Sequence, residues 1–303
     1  MKFQKAIKRK SKLRLCLASP SGGGKTLGAL LVAIGLGGKI AVVDTERGSA
    51  QLYSDAPELQ GAEFDVLELT PPYTPERYIA AIKAAEEAGY ESLILDSITH
   101  EWNGSGGVLE IVDSLARSKF KGNSYAAWNE GTPRHRAFID AMLQSNLHII
   151  ATMRTKAAYV EGERNGKRTI EKVGTAPEQR DGIEYEFTAV LDISLDGNIA
   201  CATKDRTRLF SAPHKLTIDD GKRLITWLES GVEAKPQPSE AEEIQSRLAD
   251  HRAAIEASAT IEELTAAWND AITWAKSTRD MLIVQSITAI KDARKSQLTE
   301  QAA

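Results

Sequence analysis

The chain has 303 residues, enough to bury a full core and to carry an additional small domain. Hydrophobic residues make up 42% and charged residues 26%, and the net charge of −4 excludes a generally basic nucleic-acid coat but not a local basic patch. The two cysteines, Cys16 and Cys201, exclude a disulfide framework. No apolar run approaches membrane-spanning length, and the basic start lacks an apolar signal core, so we expect a soluble, cytoplasmic protein.

From residue 13 to about residue 230, short apolar runs alternate with helical segments, which favours a mostly parallel α/β sheet flanked by helices. The predicted strands are 13–18, 40–44, 64–69, 92–96, 147–153, 187–195 and 199–204. The last two are joined by a polar, glycine-containing link, which predicts an antiparallel hairpin at one edge of the sheet. Thr74 and Thr132 each precede a proline, so both are predicted helix N-caps.

The composition predicts three regions. Residues 1–231 form the α/β core with a basic N-terminal arm, which could contact DNA, pack on a neighbouring subunit or stay solvated. Residues 232–239 are proline-containing and polar, as is typical of a linker. Residues 240–303 are rich in Ala, Glu, Lys and Leu and predict a small all-α domain of three helices, with Trp268 and Trp274 packed between them.

The strongest motif follows the first predicted strand: a glycine-rich turn leads into Lys-Thr at the start of an apolar helix. Glycines let several backbone N–H groups wrap a phosphate chain, and the helix adds the positive end of its dipole. Lys25 is predicted to reach the β- and γ-phosphates of ATP, and the Thr26 hydroxyl to ligate Mg²⁺. Ser19 stands where the motif usually has its first glycine. The predicted phosphate-binding residues are Ser19, Pro20, Ser21, Gly22, Gly23, Gly24, Lys25 and Thr26.

A second acid is needed to anchor the Mg²⁺ ion, and Asp96 supplies it directly after the apolar run 92–95. Many P-loop enzymes have a catalytic glutamate in the next position, but here that residue is Ser97. Glu46, just past the predicted strand 40–44, is the best candidate for orienting the attacking water, because ligands gather at the carboxyl ends of parallel strands. Glu101, five residues past Asp96, is the rival base.

Together these residues resemble the RecA-like ATPases, whose catalytic glutamate follows the second strand. The resemblance implies a RecA-like P-loop core and places Tyr53, seven positions past Glu46, against the adenine ring. It also implies that Thr152 occupies the position of a γ-phosphate sensor, although RecA has a longer glutamine there.

More closely, the chain resembles a phage-encoded group of RecA-like ATPases associated with recombination and single-strand annealing. Five segments carry this likeness, which covers roughly residues 10–230: 96–102, 132–135, 176–182, 184–187 and 204–207. For such a protein the resemblance implies single-stranded DNA as a partner and the cytoplasm of a bacterial host as the location.

The polar segment 159–182 is predicted to lack strands, and long structureless loops in compact domains are usually functional. It lies where RecA proteins hold their second DNA loop, so the resemblance implies contact with DNA phosphates. A plain surface loop is the alternative, because Glu161, Glu163 and Glu171 dilute its charge. The predicted DNA contacts are Arg164, Lys167, Arg168, Lys172 and Arg180.

Lys204 and Arg206 end the last predicted strand, where basic residues of RecA-like assemblies reach the ATP of a neighbouring subunit. The resemblance therefore implies self-assembly into a ring or filament, and a solvated pair is the alternative. Two other functions stay open: a helicase motor or loader, and a non-catalytic adaptor whose assembly ATP controls. The helical tail could mediate assembly, dock a single-stranded-DNA-binding protein or act as a passive cap.

Overall fold

The computed structural model describes residues 5–164, 167–232, 240–278 and 280–301. The chain divides into two compact units, Met1–Glu233 and Ala234–Ala303, which are considered separately. Apart from Val232, the predicted linker lies outside the described residues.

The first unit is built on one twisted sheet, whose described strands run β3-β2-β4-β5-β1-β7-β8 across it, with β6 pairing to β5. Neighbours from β3 to β7 are parallel, whereas β7–β8 and β5–β6 are antiparallel. The predicted fold class and the edge hairpin are therefore confirmed. The strands are β1 (Arg14–Ser19), β2 (Ile40–Asp44), β3 (Asp65–Glu68), β4 (Ser92–Asp96), β5 (His148–Arg164), β6 (Lys167–Pro177), β7 (Ala189–Ile193) and β8 (Ala200–Asp205).

Helices cover both faces of this sheet, which explains why its strands are continuous apolar runs. Along β1, Leu15 and Leu17 belong to the core cluster shared with α1 and α6, whereas Cys16 and Ala18 belong to the cluster shared with α2 and α5. The helices of this unit are α1 (Lys25–Leu36), α2 (Pro75–Glu87), α3 (Thr99–Asn103), α4 (Val108–Ser118), α5 (Ser124–Gln144) and α6 (Ile218–Glu229).

The prediction that residues 159–182 lack strands is wrong. Strand β5 continues past the sheet to Arg164, and β6 pairs back along it from Lys167 to Pro177. The pair Asn165-Gly166, the most favoured two-residue hairpin turn in sequence, was the signal for this hairpin. The polar composition hid it, because two strands that pair with each other satisfy their backbone groups without the apolar alternation of a core strand.

The predicted helix start at Thr132 is also wrong. Helix α5 begins at Ser124, where the Asn123 side chain accepts a hydrogen bond from the Ala126 N–H at 3.1 Å, and Pro133 lies inside it. Buried residues on both sides of the proline, including Ala127 and Phe138, explain why packing outweighs one lost backbone hydrogen bond. Thr74, in contrast, does precede α2 as predicted.

The N-terminal arm packs against its own unit at the end of α6. The Lys8 ammonium donates to the Trp227 carbonyl and the Ser230 hydroxyl, both at 2.6 Å, and lies 4.0 Å from the centre of the Trp227 ring. Backbone pairing of Arg9 with Val232 continues this contact. Part of the arm is therefore held by intramolecular contacts, and the predicted contacts with DNA or a neighbouring subunit stay predictions.

The second unit contains α7 (Glu240–Ala257), α8 (Ile261–Ser277) and α9 (Met281–Gln301). Its core includes Ile255, Leu264 and Ile287, and Trp268 and Trp274 pack against this core as predicted. None of the helices in the described ranges is long and apolar enough to cross a membrane.

Candidate nucleotide site

The turn between β1 and α1 forms a cradle of main-chain groups. Gly22 and Gly24 have φ angles of 82° and 81°, which side-chain-bearing residues rarely adopt. At Gly23 a Cβ would lie 1.6 Å from Ser19 Oγ, so no side chain fits. Gly24 offers no capping side chain and no acid lies in the first turn of α1. The amides of that turn are therefore left for an external acceptor, which suits a phosphate group.

Lys25 lies over this loop. Its ammonium donates to the carbonyls of Ser19, at 3.2 Å, and Pro20, at 3.0 Å, and the residue is only 7% exposed. Burial lowers the Lys25 pKa, and the nearby carboxylates of Glu46 and Asp96 act in the opposite direction. The arrangement holds one cation beside the phosphate cradle.

The Thr26 hydroxyl and the Asp96 carboxylate meet at 2.5 Å, which brings together the start of α1 and the end of β4. The other Asp96 oxygen accepts from the Thr152 hydroxyl, also at 2.5 Å. Burial raises the Asp96 pKa, while these two hydrogen bonds act to lower it. A hydroxyl and a carboxylate oxygen side by side are the hard oxygen donors that Mg²⁺ takes next to a nucleotide, so the residues fit this ion.

Glu46 is held in place by the end of β2. The buried Asp44 carboxylate accepts from the backbone N–H groups of Glu46, at 2.6 Å, and Ala50, at 2.9 Å, which fixes the loop. Thr45 ties this loop to β4, since its N–H donates to the Asp96 carbonyl at 2.7 Å. The Glu46 carboxylate then meets Arg154, with 2.9 Å between Oε1 and Nε.

Arg154 is a site residue that our sequence analysis missed. Arg154 is the register partner of Ser19 in the parallel pair of β1 and β5, so strand pairing brings it to the phosphate-binding loop. Thr152, for which the resemblance implies a phosphate sensor, is fully buried, and its hydroxyl donates to the Asp96 carboxylate. The signal available in the sequence was a basic residue directly after the predicted strand 147–153, because ligands gather at the carboxyl ends of parallel strands.

Lys25, Thr26, Glu46 and Arg154 line one cleft of about 460 Å³, a volume typical of small-molecule sites. Tyr53 and the 79% exposed Leu52 form its apolar end. Asn198, in the turn between β7 and β8, also lines it and was not predicted from the sequence; a Cβ on Gly24 would lie 3.2 Å from its side-chain nitrogen.

Glu101, the rival base, lies elsewhere. It is fully buried, and its carboxylate lies 3.0 Å from His135 Nδ1 and 3.3 Å from Gln179 Nε2. Burial raises the Glu101 pKa, while the contact with His135 acts to lower it. Among the described residues that line the cleft, Glu46 is present and Glu101 is not.

The residues predicted to act in a neighbouring subunit do not line the cleft of their own chain. The Lys204 ammonium donates to the carbonyls of Glu184, at 2.9 Å, and Tyr185, at 2.6 Å. Arg206 is exposed, and in the described part of the chain its guanidinium has no hydrogen-bond or ion-pair partner.

The predicted DNA contacts Arg164, Lys167, Arg168 and Lys172 belong to the β5–β6 hairpin, but their side chains lie outside the described residues. Arg180 is described, and its guanidinium lies 5.8 Å from the centre of the Trp128 ring. The structure brings the predicted nucleotide residues Lys25, Thr26, Glu46 and Tyr53 together in one cleft, and Arg180 does not line it.

A family model described as an AAA domain matches residues 11–236, which span the whole sheet and the helices on its faces. A search of curated proteins found no match. The matched region contains the phosphate cradle, Lys25, Thr26 and Asp96 described above. The chain therefore belongs to the AAA domain family of P-loop proteins and is a nucleotide-binding ATPase.

Proposed function

We propose that the protein hydrolyses Mg·ATP in this cleft, that Glu46 orients the attacking water, and that single-stranded DNA is its partner. The observation that carries the proposal is the Glu46–Arg154 pair beside Lys25, because it places one carboxylate and two cations around the phosphate cradle. A carboxylate for water and cations for developing charge are what phosphoryl transfer requires.

The chain's own residues divide the work of binding. The first-turn amides of α1 and Lys25 would hold the phosphates, and Tyr53 at the apolar end of the cleft would stack on the adenine. Thr26 and Asp96 would hold Mg²⁺, which would neutralise negative charge on the phosphate oxygens.

In the reaction, Glu46 would accept a proton from water as the water oxygen bonds to the γ-phosphorus. The bond from that phosphorus to the bridging oxygen breaks, and ADP leaves with the electron pair. A phosphate in the cleft would compete with Glu46 for the Arg154 guanidinium. Arg154 would then stabilise the developing negative charge and release the carboxylate to act on water.

The DNA-binding part of the proposal is supported by the β5–β6 hairpin. Residues 155–177 carry five basic and three acidic side chains in a chain whose overall charge is −4. The hairpin also continues the strand that carries Arg154, so a ligand on it acts on a segment rooted in the cleft. With the likeness to the RecA-like recombination and annealing group, this supports recombination or strand annealing as the role.

Self-assembly is supported by a difference in hydrogen bonding between Lys204 and Arg206, the two basic residues near the end of β8. Lys204 is already engaged by two carbonyl oxygens, whereas Arg206 is exposed and unpaired among the described residues. We therefore infer that Arg206 is the residue that reaches the ATP of a neighbouring subunit, in a ring or filament.

The experiment is ATP turnover per subunit, measured with and without single-stranded DNA across a range of protein concentrations. Wild type should turn over faster with DNA and at higher protein concentration, Lys25→Ala should lose turnover, and Arg206→Ala should lose the concentration dependence. Arg208→Ala, which removes an exposed neighbouring arginine, is the matched control. If DNA did not change ATP turnover, the proposal of a DNA partner would be contradicted. If Lys25→Ala kept normal turnover, the proposal that ATP is hydrolysed in this cleft would be contradicted.

A further inference from the structure

A second concave site lies on the same unit, away from the nucleotide cleft. It has a volume of about 550 Å³, and three aromatic rings line it: Trp102, Tyr125 and Trp128. Asn129, Thr132 and Arg180 supply its polar groups. The side chain of Tyr125, a residue that is 85% exposed, presents its ring to solvent at the rim.

The floor of this aromatic pocket is built before any ligand arrives. Trp102 stacks on Trp128, with 5.7 Å between ring centres and 28° between planes, and it also approaches buried His135 edge-on, with 5.3 Å between ring centres. Rings held in this way lose little conformational freedom when a flat ligand stacks on them.

The backbone of Arg180 is fixed by the residue before it. The preceding residue, Gln179, is buried and donates from Nε2 to the Ile98 carbonyl at 2.9 Å, while its Oε1 accepts from the Arg180 N–H at 2.7 Å. The guanidinium of Arg180 lies over the Trp128 ring, and no ion-pair partner for it occurs in the described part of the chain. Such a planar cation next to aromatic rings suits a ligand that combines flat rings with negative charge.

The charge of the pocket favours a nucleic acid over a peptide. Among the described residues no acidic side chain lines it, and Asn129 and Thr132 add a neutral amide and a neutral hydroxyl, which pair with base edges. Arg180 also lies three residues past the end of β6, so the chain leads within three residues from the hairpin, whose sequence has an excess of basic residues, to the pocket. A polyanion can therefore follow the hairpin and place bases in the pocket.

We propose that the aromatic pocket of Trp102, Tyr125, Trp128 and Arg180 is a base-stacking subsite for single-stranded DNA. Unpaired bases are required, because a duplex keeps the faces of its bases stacked inside. This inference rests on the proposed DNA partner and adds the place where bases, as distinct from phosphates, are bound.

The test measures binding of a fluorescent twenty-nucleotide oligothymidine and of an abasic strand of the same length by anisotropy. Tyr125→Ala should weaken oligothymidine binding by at least about fivefold, the lower range for one stacked base, and should leave the abasic strand unaffected. Tyr125→Phe keeps the ring and should bind like wild type. Tyr185→Ala, which removes another exposed tyrosine outside the pocket, is the matched control. Melting temperatures of all variants check that each is folded.

Unchanged oligothymidine binding by Tyr125→Ala overturns the subsite, as does an equal loss on the abasic strand. Binding of a proline-rich peptide that Tyr125→Ala abolishes, with DNA binding unchanged, also overturns it and identifies a peptide pocket. If wild type binds neither strand, the proposed DNA partner itself fails. The last result differs from failure of the pocket alone, in which wild type binds DNA and Tyr125→Ala binds it equally well.

Discussion

Two glutamates follow neighbouring strands at the same edge of the sheet, yet their surroundings differ completely. Glu46, after β2, has a side chain 25% exposed and meets Arg154 in the cleft. Glu101, on α3 after β4, has a fully buried side chain and meets His135 and Gln179. The position of each glutamate in the sequence does not show which of them acts on water. The partner of each carboxylate in the structure distinguishes their roles.

The comparison teaches which carboxylate can work on water. A group that orients water has to reach solvent and the phosphate cradle, as Glu46 does. Glu101 instead links α3 to α5 through His135 and to the segment after the hairpin through Gln179, so its surroundings indicate a structural role. Burial without full charge compensation also raises its pKa.

The largest effect is expected when each of the two glutamates is replaced by glutamine. Glu46→Gln should lower kcat by about 10²–10⁴-fold, the usual contribution of general-base catalysis, with Mg·ATP affinity retained. Glu101→Gln keeps the buried shape and should change kcat by no more than a few-fold. Single-turnover kinetics and nucleotide titration measure both; the reverse ranking would make Glu101 the base.

The partners of the two acids give the next largest effect. Arg154→Gln removes a cation aimed into the cleft and should lower kcat by about 10²–10³-fold, as loss of one transition-state donor does. His135→Leu leaves the buried Glu101 carboxylate with one donor fewer and should instead reduce the free energy of unfolding by about 1–3 kcal/mol.

Denaturant unfolding and kcat, measured on both partner variants, separate the two roles. A large loss of stability in Arg154→Gln with normal kcat would contradict the role of Arg154 in the cleft. Arg136→Gln, an exposed position one residue from His135, serves as the control for substitution on α5.

The smallest expected effect is a pH dependence of stability. Because the folded-state pKa of Glu101 is raised, chiefly by burial, the folded chain binds its proton more tightly than the unfolded chain does. Its contribution to stability is therefore present below the ordinary value of 4.5 and is lost as the pH rises through the raised value. The melting temperature of Glu101→Gln, relative to wild type, should therefore rise with pH across that window.

Asp96 also has a raised pKa, but it titrates in both proteins and cancels from this difference. A difference between the two melting temperatures that stays constant with pH would mean that Glu101 ionises normally despite its burial.

Local chemistry was sufficient to predict the phosphate cradle. Glycines 22–24, Lys25 and Thr26 follow a strand and open a helix, and each of these features acts within a few residues of the others. The parallel core could be predicted for a similar reason, since strands buried on both faces are apolar throughout.

The β5–β6 hairpin and the course of α5 were predicted wrongly because their signals compete with local ones. Polar composition outweighed Asn165-Gly166 in the prediction, and Pro133 suggested a helix start that packing on both sides overrides.

What only the tertiary structure decided is which side chains meet across the sheet. Strand order and register place Arg154, from β5, against Glu46, from the loop after β2, and enclose Glu101 with His135 instead. The sequence by itself determined the cradle and the parallel core, because those depend on neighbouring residues. The pairing of acids with their partners depends on burial and on contacts between residues far apart in the chain, for which no local pattern exists.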